Sequence, residues 1–301
     1  MTKEKCYICS GKTKVLYEFY TRKDDLYCLM LCQDCSFLRI HPIPDQTIID
    51  RLYKNRFISK SKLEKEVFRS SLLTSLKKNV LIKPQLNKLL QLVNSVGKPK
   101  LLDIGCSSGW ITSVSRELGF DATGLEANAH AVEFGRKKYG LDIIEGYIEN
   151  LQTDMNFDAV TMFHVLEHIA DPRNMLFQVK DLLYKNGKLL IVVPNLKSIG
   201  AGIFKKNYNW SIPHHISFFN PDTIRELLIQ SGFRVVGVEH LISPPLLTYS
   251  YNRLMRQRKH EGKYSFRMNN WIISNALFLP LSLLGKLSGR GEVIAVYGEK
   301  V

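Results

Sequence analysis

The chain has 301 residues, 45% hydrophobic and 23% charged, which is the balance of a globular protein large enough to bury a real core. Its formal net charge of +14 favours a partner carrying phosphates or carboxylates, such as nucleic acid, an anionic membrane face or a phosphorylated substrate. The opening Met1-Thr2-Lys3-Glu4-Lys5-Cys6 lacks the apolar core of a signal peptide, and no apolar run reaches the ~18 residues of a membrane span, so the reading is cytoplasmic, with any membrane contact peripheral and at the inner face.

Four of the six cysteines come first. Cys6-x-x-Cys9 and Cys32-x-x-Cys35 are separated by 22 residues. Between them 14–20 reads as a strand, Asp24-Asp25 as a turn and 26–30 as the returning strand. A hairpin that brings two thiol pairs together predicts a zinc ribbon, because four thiolates satisfy tetrahedral zinc. So small a module has too little core to fold alone, and the metal supplies its stability. Two disulfides or unrelated thiols are the competing reading, the weaker one in a reducing cytosol. Cys28 falls outside the spacing and reads as a strand residue.

His41-Pro42-Ile43-Pro44 closes this module at 1–42. Residues 45–97 read as helical, with dense charge over Lys60 to Lys65 and a helical stripe of Leu86, Leu89, Leu90 and Val93. Gly97-Lys98-Pro99 ends that helix, so 43–98 reads as a helical linker or cap.

From Lys100 strands alternate with helices. Strands are predicted at 100–104, 121–126, 141–144, 157–163, 187–193, 233–239 and 292–298, with Asp171-Pro172 as a helix start and Asn186-Gly187 as a helix stop. Buried-looking strands in alternation with helices predict an α/β domain over 99–301, a seven-stranded, mostly parallel sheet covered on both faces. An insertion at 245–290 interrupts the alternation. It begins with Arg253, Arg256, Arg258, Lys259, Lys263 and Arg267, opposed only by Glu261, and continues through Trp271-Ile272-Ile273 to Leu283-Leu284. Two readings stand for it: a helical lid whose apolar face packs on the sheet, or a surface over about 250–285 that meets a membrane or a lipid-bearing substrate.

The chemistry concentrates after the first strand of the sheet, at Leu101-Leu102-Asp103-Ile104-Gly105-Cys106-Ser107-Ser108-Gly109-Trp110, with Glu126 ending the next strand. Gly105 and Gly109 permit a sharp turn and close approach of a ligand, the helix opening at Trp110 aims its amides at the same place, and Glu126 can accept from both hydroxyls of a ribose. This pattern resembles the class I S-adenosylmethionine-dependent methyltransferases, with Asp103, Gly105 and Gly109 matching the family's glycine-rich loop and Ser107 standing where its middle glycine is. The resemblance runs over about 75 to 240 plus the last strand, and implies a Rossmann-like fold with S-adenosylmethionine as cofactor. It implies that Asp103 and the Gly105 backbone lie near the methionine end and that Glu126 holds the ribose, with Cys106, Ser107, Gly109, Trp110 and Ala127 around them. It further implies Tyr147 and Ile148 as neighbours of the adenine, and Phe163 and His164, after the fourth strand, near the methyl donor. The N-terminal ribbon is similar to that of bacterial methyltransferases acting on sugars, cell-surface glycans and natural products.

His164-Val165-Leu166-Glu167-His168 also spells an inverted zinc-peptidase motif, but that motif needs a helix and here the run begins at a strand end. A loop beside the cofactor, steadied by Glu167 and His168, is the preferred reading. Methylation of a hydroxyl, or of carbon beside a ketone, needs a general base. His214 and His215, in Trp210-Ser211-Ile212-Pro213-His214-His215, are the leading candidates, because loops after such strands gather at the ligand crevice, and His164 is the third. The resulting expectation is methyl transfer to a small-molecule, nucleotide-sugar or lipid-linked glycan acceptor. The alternative is an RNA methyltransferase that grips phosphate with its ribbon and positive surface.

Overall fold

The structure is a computed structural model that describes residues 5–20, 25–45, 47–49, 78–151, 155–261 and 263–301. The helical reading of 50–77, with its charged Lys60 to Lys65, and Asp24 of the hairpin turn lie outside the described residues.

The first elements are β1 (Thr13–Tyr20), β2 (Leu26–Cys32), β3 (Leu38–His41) and α1 (Lys83–Leu92). The alternating region follows as β4 (Lys100–Ile104), α2 (Trp110–Glu117), β5 (Asp121–Glu126), α3 (Ala129–Tyr139), β6 (Ile143–Glu145) and β7 (Phe157–Phe163). It continues with α4 (Pro172–Leu182), β8 (Leu183–Pro194), α5 (Ile199–Phe204), β9 (Ser217–Phe218), α6 (Pro221–Gln230) and β10 (Phe233–Leu241). The last elements are α7 (Pro244–His260), α8 (Trp271–Leu287) and β11 (Val293–Lys300).

Seven strands form one sheet in the order β10-β11-β8-β7-β4-β5-β6. The pairs β4/β5, β4/β7, β5/β6 and β7/β8 are all parallel. Its central strands are apolar and buried on both faces, as Leu101, Leu102, Val160, Met162, Leu189 and Val193 show, which is the burial that covering helices impose on a parallel sheet. The chain steps outward from β4 through β5 to β6, then returns to place β7 on the other side of β4. That reversal opens a crevice at the carboxyl ends of β4 and β7, where open α/β sheets bind ligands.

Local signals fix the helices around it. The Asn128 side chain caps α3 by accepting from the Ala131 amide at 3.1 Å, and Gly140, at φ 60°, ends it in the left-handed conformation. Asp171 caps α4 at the Asn174 amide with Pro172 in the first turn, as the sequence predicts. The far end of α4 differs. The helix stops at Leu182 rather than at Asn186-Gly187, and β8 begins at once. Asn186, at φ 62°, turns an excursion inside the strand, so the pairing jumps from Phe157↔Leu183 to Ala159↔Lys188.

The chain divides into two compact units. One comprises Pro44–Val192, Leu227–Gly237 and Val296–Val301, and holds the crevice strands. The other comprises Met1–Ile43, Val193–Glu226 and Val238–Ala295. In this second unit the cysteine-bearing hairpin grows into a four-stranded sheet, β1-β2-β3-β9. The sequence reading did not contain β3 or β9. They pair antiparallel through Leu38↔Phe218 and Arg39↔Ser217, and the Ile40 amide donates to the Ile216 carbonyl at 3.0 Å. Trp210 is buried between Tyr17, Tyr208 and Phe218, with ring centroids 6.4, 5.0 and 5.4 Å away, and its indole N–H donates to the Lys205 carbonyl.

The lid reading of the insertion needs correction in one respect. Helices α7 and α8 form, but only part of the apolar surface of α8 packs inward: Phe278 lies against Phe204 and Tyr251, whereas Ile272, Ile273, Leu277, Leu284 and Leu287 are exposed, while Ser274, Ser282 and Gly285 are buried. No described helix is long and apolar enough to cross a membrane.

Candidate functional site

The loop after β4 is shaped by its backbone. Gly105, Ser107 and Gly109 stand at φ 65°, 51° and 77°, the left-handed region that L side chains rarely adopt. A Cβ on Gly105 would lie 2.6 Å from Val165 Cγ2, and one on Gly109 would lie 2.5 Å from Leu141 Cδ1. Gly124 and Gly135 keep the same loop seated from behind, since a Cβ on either would meet Cys106 Sγ at 2.6 Å or the Ser108 carbonyl oxygen at 2.9 Å. Ser107 therefore occupies a glycine conformation without being glycine.

Two carboxylates lie beneath this loop. Asp103 is buried and receives the hydroxyl of Thr112 on Oδ2 and that of Thr161 on Oδ1, both at 2.8 Å. Burial pushes its pKa up to about 6, against the lowering effect of the two hydroxyls and with the Glu126 charge adding to the rise. The side chain ties β4 to α2 and β7, so what reaches the crevice from this position is the strand end it steadies. Glu126 accepts the Ser107 amide on Oε2 and the Asn128 amide on Oε1, each at 2.9 Å. Burial raises its pKa above the usual carboxylate range while these amides pull it down. Two acceptor positions of the carboxylate remain for a diol.

The other predicted neighbours distribute around the same unit. Cys106 turns its thiol away from the loop surface into a cluster with Val132, Leu141 and Ile143, and burial raises its pKa strongly. Gly105 and Ala127 are exposed, and Trp110 opens α2 half-buried. Past β6, Gly146 has open space where a Cβ would stand, Tyr147 is exposed and Ile148 is buried. These features fit S-adenosylmethionine: a glycine-type turn that admits close approach, an acid at the next strand end, and an uncluttered rim beyond the third strand.

At the carboxyl end of β7, Phe163 is half-buried and His164 is exposed, at φ 57°. The His164 amide donates to the Val192 carbonyl at 2.8 Å, and its Nδ1 lies 3.1 Å from Oε1 of the buried Glu167. In the tautomer with Nδ1 protonated, the ring donates to this carboxylate and Nε2 is left as an acceptor. Leu166–His168 is a single 3-10 turn, so the peptidase-like spelling has no helix to bear it. Thr112 and Thr161 carry no local signal as partners of Asp103, because a helix and a neighbouring strand bring them there, whereas the Glu167–His164 contact lies within the loop that the sequence already singles out.

His214 and His215 belong to the second unit, half-buried on the loop that leads to β9. The His215 amide donates to the Ser211 carbonyl at 3.1 Å, and its ring lies 6.1 Å from that of Phe218. The loop is pinned by the buried Trp210, two residues upstream of Ile212-Pro213.

The four cysteines of the second unit converge. Cys6 and Cys35 sulfurs are 3.5 Å apart, as are those of Cys9 and Cys32, and all four lie within 4.8 Å of one another. Tetrahedral zinc with Zn–S near ~2.3 Å places its sulfurs about 3.8 Å apart, so the cluster fits the ion. The two halves are built alike. Ser10 and Ser36, each just after the second cysteine of its pair, sit at φ 59° and 62°, and the Cys6 and Cys32 amides donate to Gly11 and Phe37 carbonyls at 2.8 Å. The Cys35 amide also points at Cys32 Sγ from 3.5 Å, a hydrogen bond of the kind that steadies thiolate ligands. Cys28 lies in β2 outside this cluster.

Comparison with known proteins identifies the family of the domain and the likeness of its fold. A family model described as a methyltransferase domain matches residues 73–238. The mitochondrial ubiquinone biosynthesis O-methyltransferase of Schizosaccharomyces pombe is 34% identical over 106 residues, 33% of this chain and 39% of that protein. The ubiquinone biosynthesis O-methyltransferase of Aliivibrio fischeri MJ11 is 27% identical over 186 residues, 56% of this chain and 79% of its own length. Among solved structures, a methyltransferase of Thermotoga maritima described as S-adenosylmethionine-dependent and a possible histamine N-methyltransferase superposes with a TM-score of 0.51 at 19% identity, covering 82% of this chain and 98% of that one, a likeness of fold.

Proposed function

Since the chain belongs to the methyltransferase-domain family, we propose that it transfers a methyl group from S-adenosylmethionine to a hydroxyl of a small molecule. The observation that carries this is the His164–Glu167 pair at the strand-reversal crevice, in the same unit as the Gly105–Gly109 loop and Glu126. S-adenosylmethionine, when bound, supplies an electrophilic methyl group on a sulfonium. Glu126 accepts from the ribose hydroxyls, and the amides of the loop line the approach. Methyl transfer chiefly requires alignment of donor and acceptor, which a fixed loop provides. An alcohol must also lose a proton. His164 Nε2 takes it, with Glu167 holding the opposite nitrogen and stabilising the imidazolium. His214 and His215 are the second candidates for the same proton.

Within small molecules, the N-terminal four-cysteine ribbon supports a sugar acceptor, carried on a nucleotide or a lipid. The names of the ubiquinone-biosynthesis relatives support transfer to oxygen. The RNA alternative rests on the ribbon and the +14 charge. Calorimetry tests the reading: S-adenosylmethionine should bind with heat and a nicotinamide dinucleotide without, and the reverse would overturn it.

A further inference from the structure

Helix α8 packs Phe278 against Phe204 and Tyr251 but turns most of its other apolar side chains outward. A surface helix normally turns its apolar stripe to the core and its polar residues to water. Here Ser274 and Ser282 are 1% and 0% exposed, whereas Ile272, Ile273, Leu277, Leu284 and Leu287 are 59%, 57%, 61%, 54% and 83% exposed. The polar side chains are used within the unit: Ser282 Oγ accepts the Ser243 amide at 2.9 Å, and the Thr248 hydroxyl donates to Asn275 Oδ1 at 3.1 Å. From Trp271 to Gly285 the helix has no charged residue, and its outward face is a continuous apolar strip. A strip of that kind marks a surface that something covers.

The segment that feeds the helix states the partner's charge. Arg256, Arg258, Lys259, Lys263 and Arg267 are exposed, interleaved with exposed Tyr264 and Phe266, and they lead directly into the exposed Ile272 and Ile273. Glu261, the single acid there, is already engaged by Lys263 at 2.8 Å and Gln257 at 2.7 Å. The segment is pinned, since Asn252 exchanges hydrogen bonds with the backbone of Met268 in both directions, at 3.0 and 2.9 Å. Cations with aromatic side chains at one end of an apolar, non-spanning helix form the pattern of a helix that lies in an anionic membrane interface. A second copy of the chain would present the same cations to them and be repelled.

We propose that the outward face of α8, with the cationic segment 256–267 before it, seats this protein on an anionic bilayer with the helix axis in the plane of the membrane. This goes beyond the methyl-transfer reading and stands without it. The test is sedimentation of the full chain with vesicles of phosphatidylcholine alone or of equal parts phosphatidylcholine and phosphatidylglycerol, with light scattering on the free protein. The protein should pellet with the anionic vesicles only. The triple variant Ile273→Gln/Leu277→Gln/Leu284→Gln, at three exposed positions, should lose binding roughly tenfold or more with an unchanged circular dichroism spectrum. Arg258→Glu/Lys259→Glu, which leaves α8 untouched, should weaken it as well and raise its sensitivity to salt. Failure of the native chain to bind anionic vesicles, equal binding by the native chain and both variants, or a dimer that the triple variant dissolves in the absence of vesicle binding would each overturn the proposal.

Discussion

Glu126 Oε2 accepts the backbone N–H of Ser107 at 2.9 Å. The acid that ends β5 thus fastens the loop that follows β4, and one side chain serves both the shape of the cradle and the cofactor it is proposed to hold. Glu126→Ala should weaken S-adenosylmethionine binding by about tenfold to hundredfold, the worth of hydrogen bonds to a charged group. Burial raises the Glu126 pKa, so affinity should begin to fall, on lowering the pH, earlier than for an exposed glutamate, because protonation removes the acceptor. Calorimetry across pH checks both, and an unchanged affinity would remove the ribose role.

The same loop separates two kinds of small residue. Ser107→Gly should leave binding intact and stabilise the fold by up to about 1 kcal/mol, because glycine adopts φ 51° without the strain a Cβ brings, less the entropy it adds to the unfolded chain. Gly105→Ala should do the opposite. Its Cβ would stand 2.6 Å from Val165 Cγ2 in a left-handed residue, and a loss of roughly 2 kcal/mol or more in thermal denaturation is expected.

His164→Ala should lower kcat by about a hundredfold or more while the cofactor Kd stays near that of the native chain. Glu167→Gln distinguishes a positioning residue from a merely structural one. Without the carboxylate, His164 loses the acceptor that orients its ring, so kcat should fall while the fold and the cofactor Kd stay near those of the native chain. Equal activity in both variants would shift the base to His214 or His215, each tested by its own alanine variant.

Metal analysis of reduced protein should find about one zinc per chain, held by Cys6, Cys9, Cys32 and Cys35. Stripping it with a chelator should redden and weaken the fluorescence of Trp210, since β3 pairs with β9 and the indole packs on Tyr17 of β1. Trp210→Phe should abolish that change. A fluorescence signal indifferent to zinc would mean that the sheet stands without the metal.

Where the signal was local, the sequence was readable. Strands β4, β5 and β7 begin and end at the predicted residues, because each is an apolar run closed by a turn or an acid, and the Gly105–Gly109 turn and the paired Cys-x-x-Cys spacings announce themselves. Tertiary dependence hid the rest. Ser217–Phe218 is too short to declare a strand and becomes one only against Leu38–Arg39. Asn186-Gly187 has the chemistry of a helix stop, but the pull of strand pairing at Leu183 ends the helix first. In α8 the apolar pattern was plain, yet periodicity gives no sign of which side faces the interior; hydrogen bonds from Ser243 and Thr248 decide that.

The pairing of Leu38 with Phe218 also sets a timetable for synthesis. The partner strand leaves the ribosome about 180 residues after β3, which at ordinary elongation rates is roughly ten to thirty-five seconds. Through that interval the β3 edge of the metal-binding sheet stands open, the kind of edge that invites stray pairing. Because all four cysteines precede β3, the ion can organise the hairpin first, so that β9 and Trp210, arriving late, dock onto a template already set.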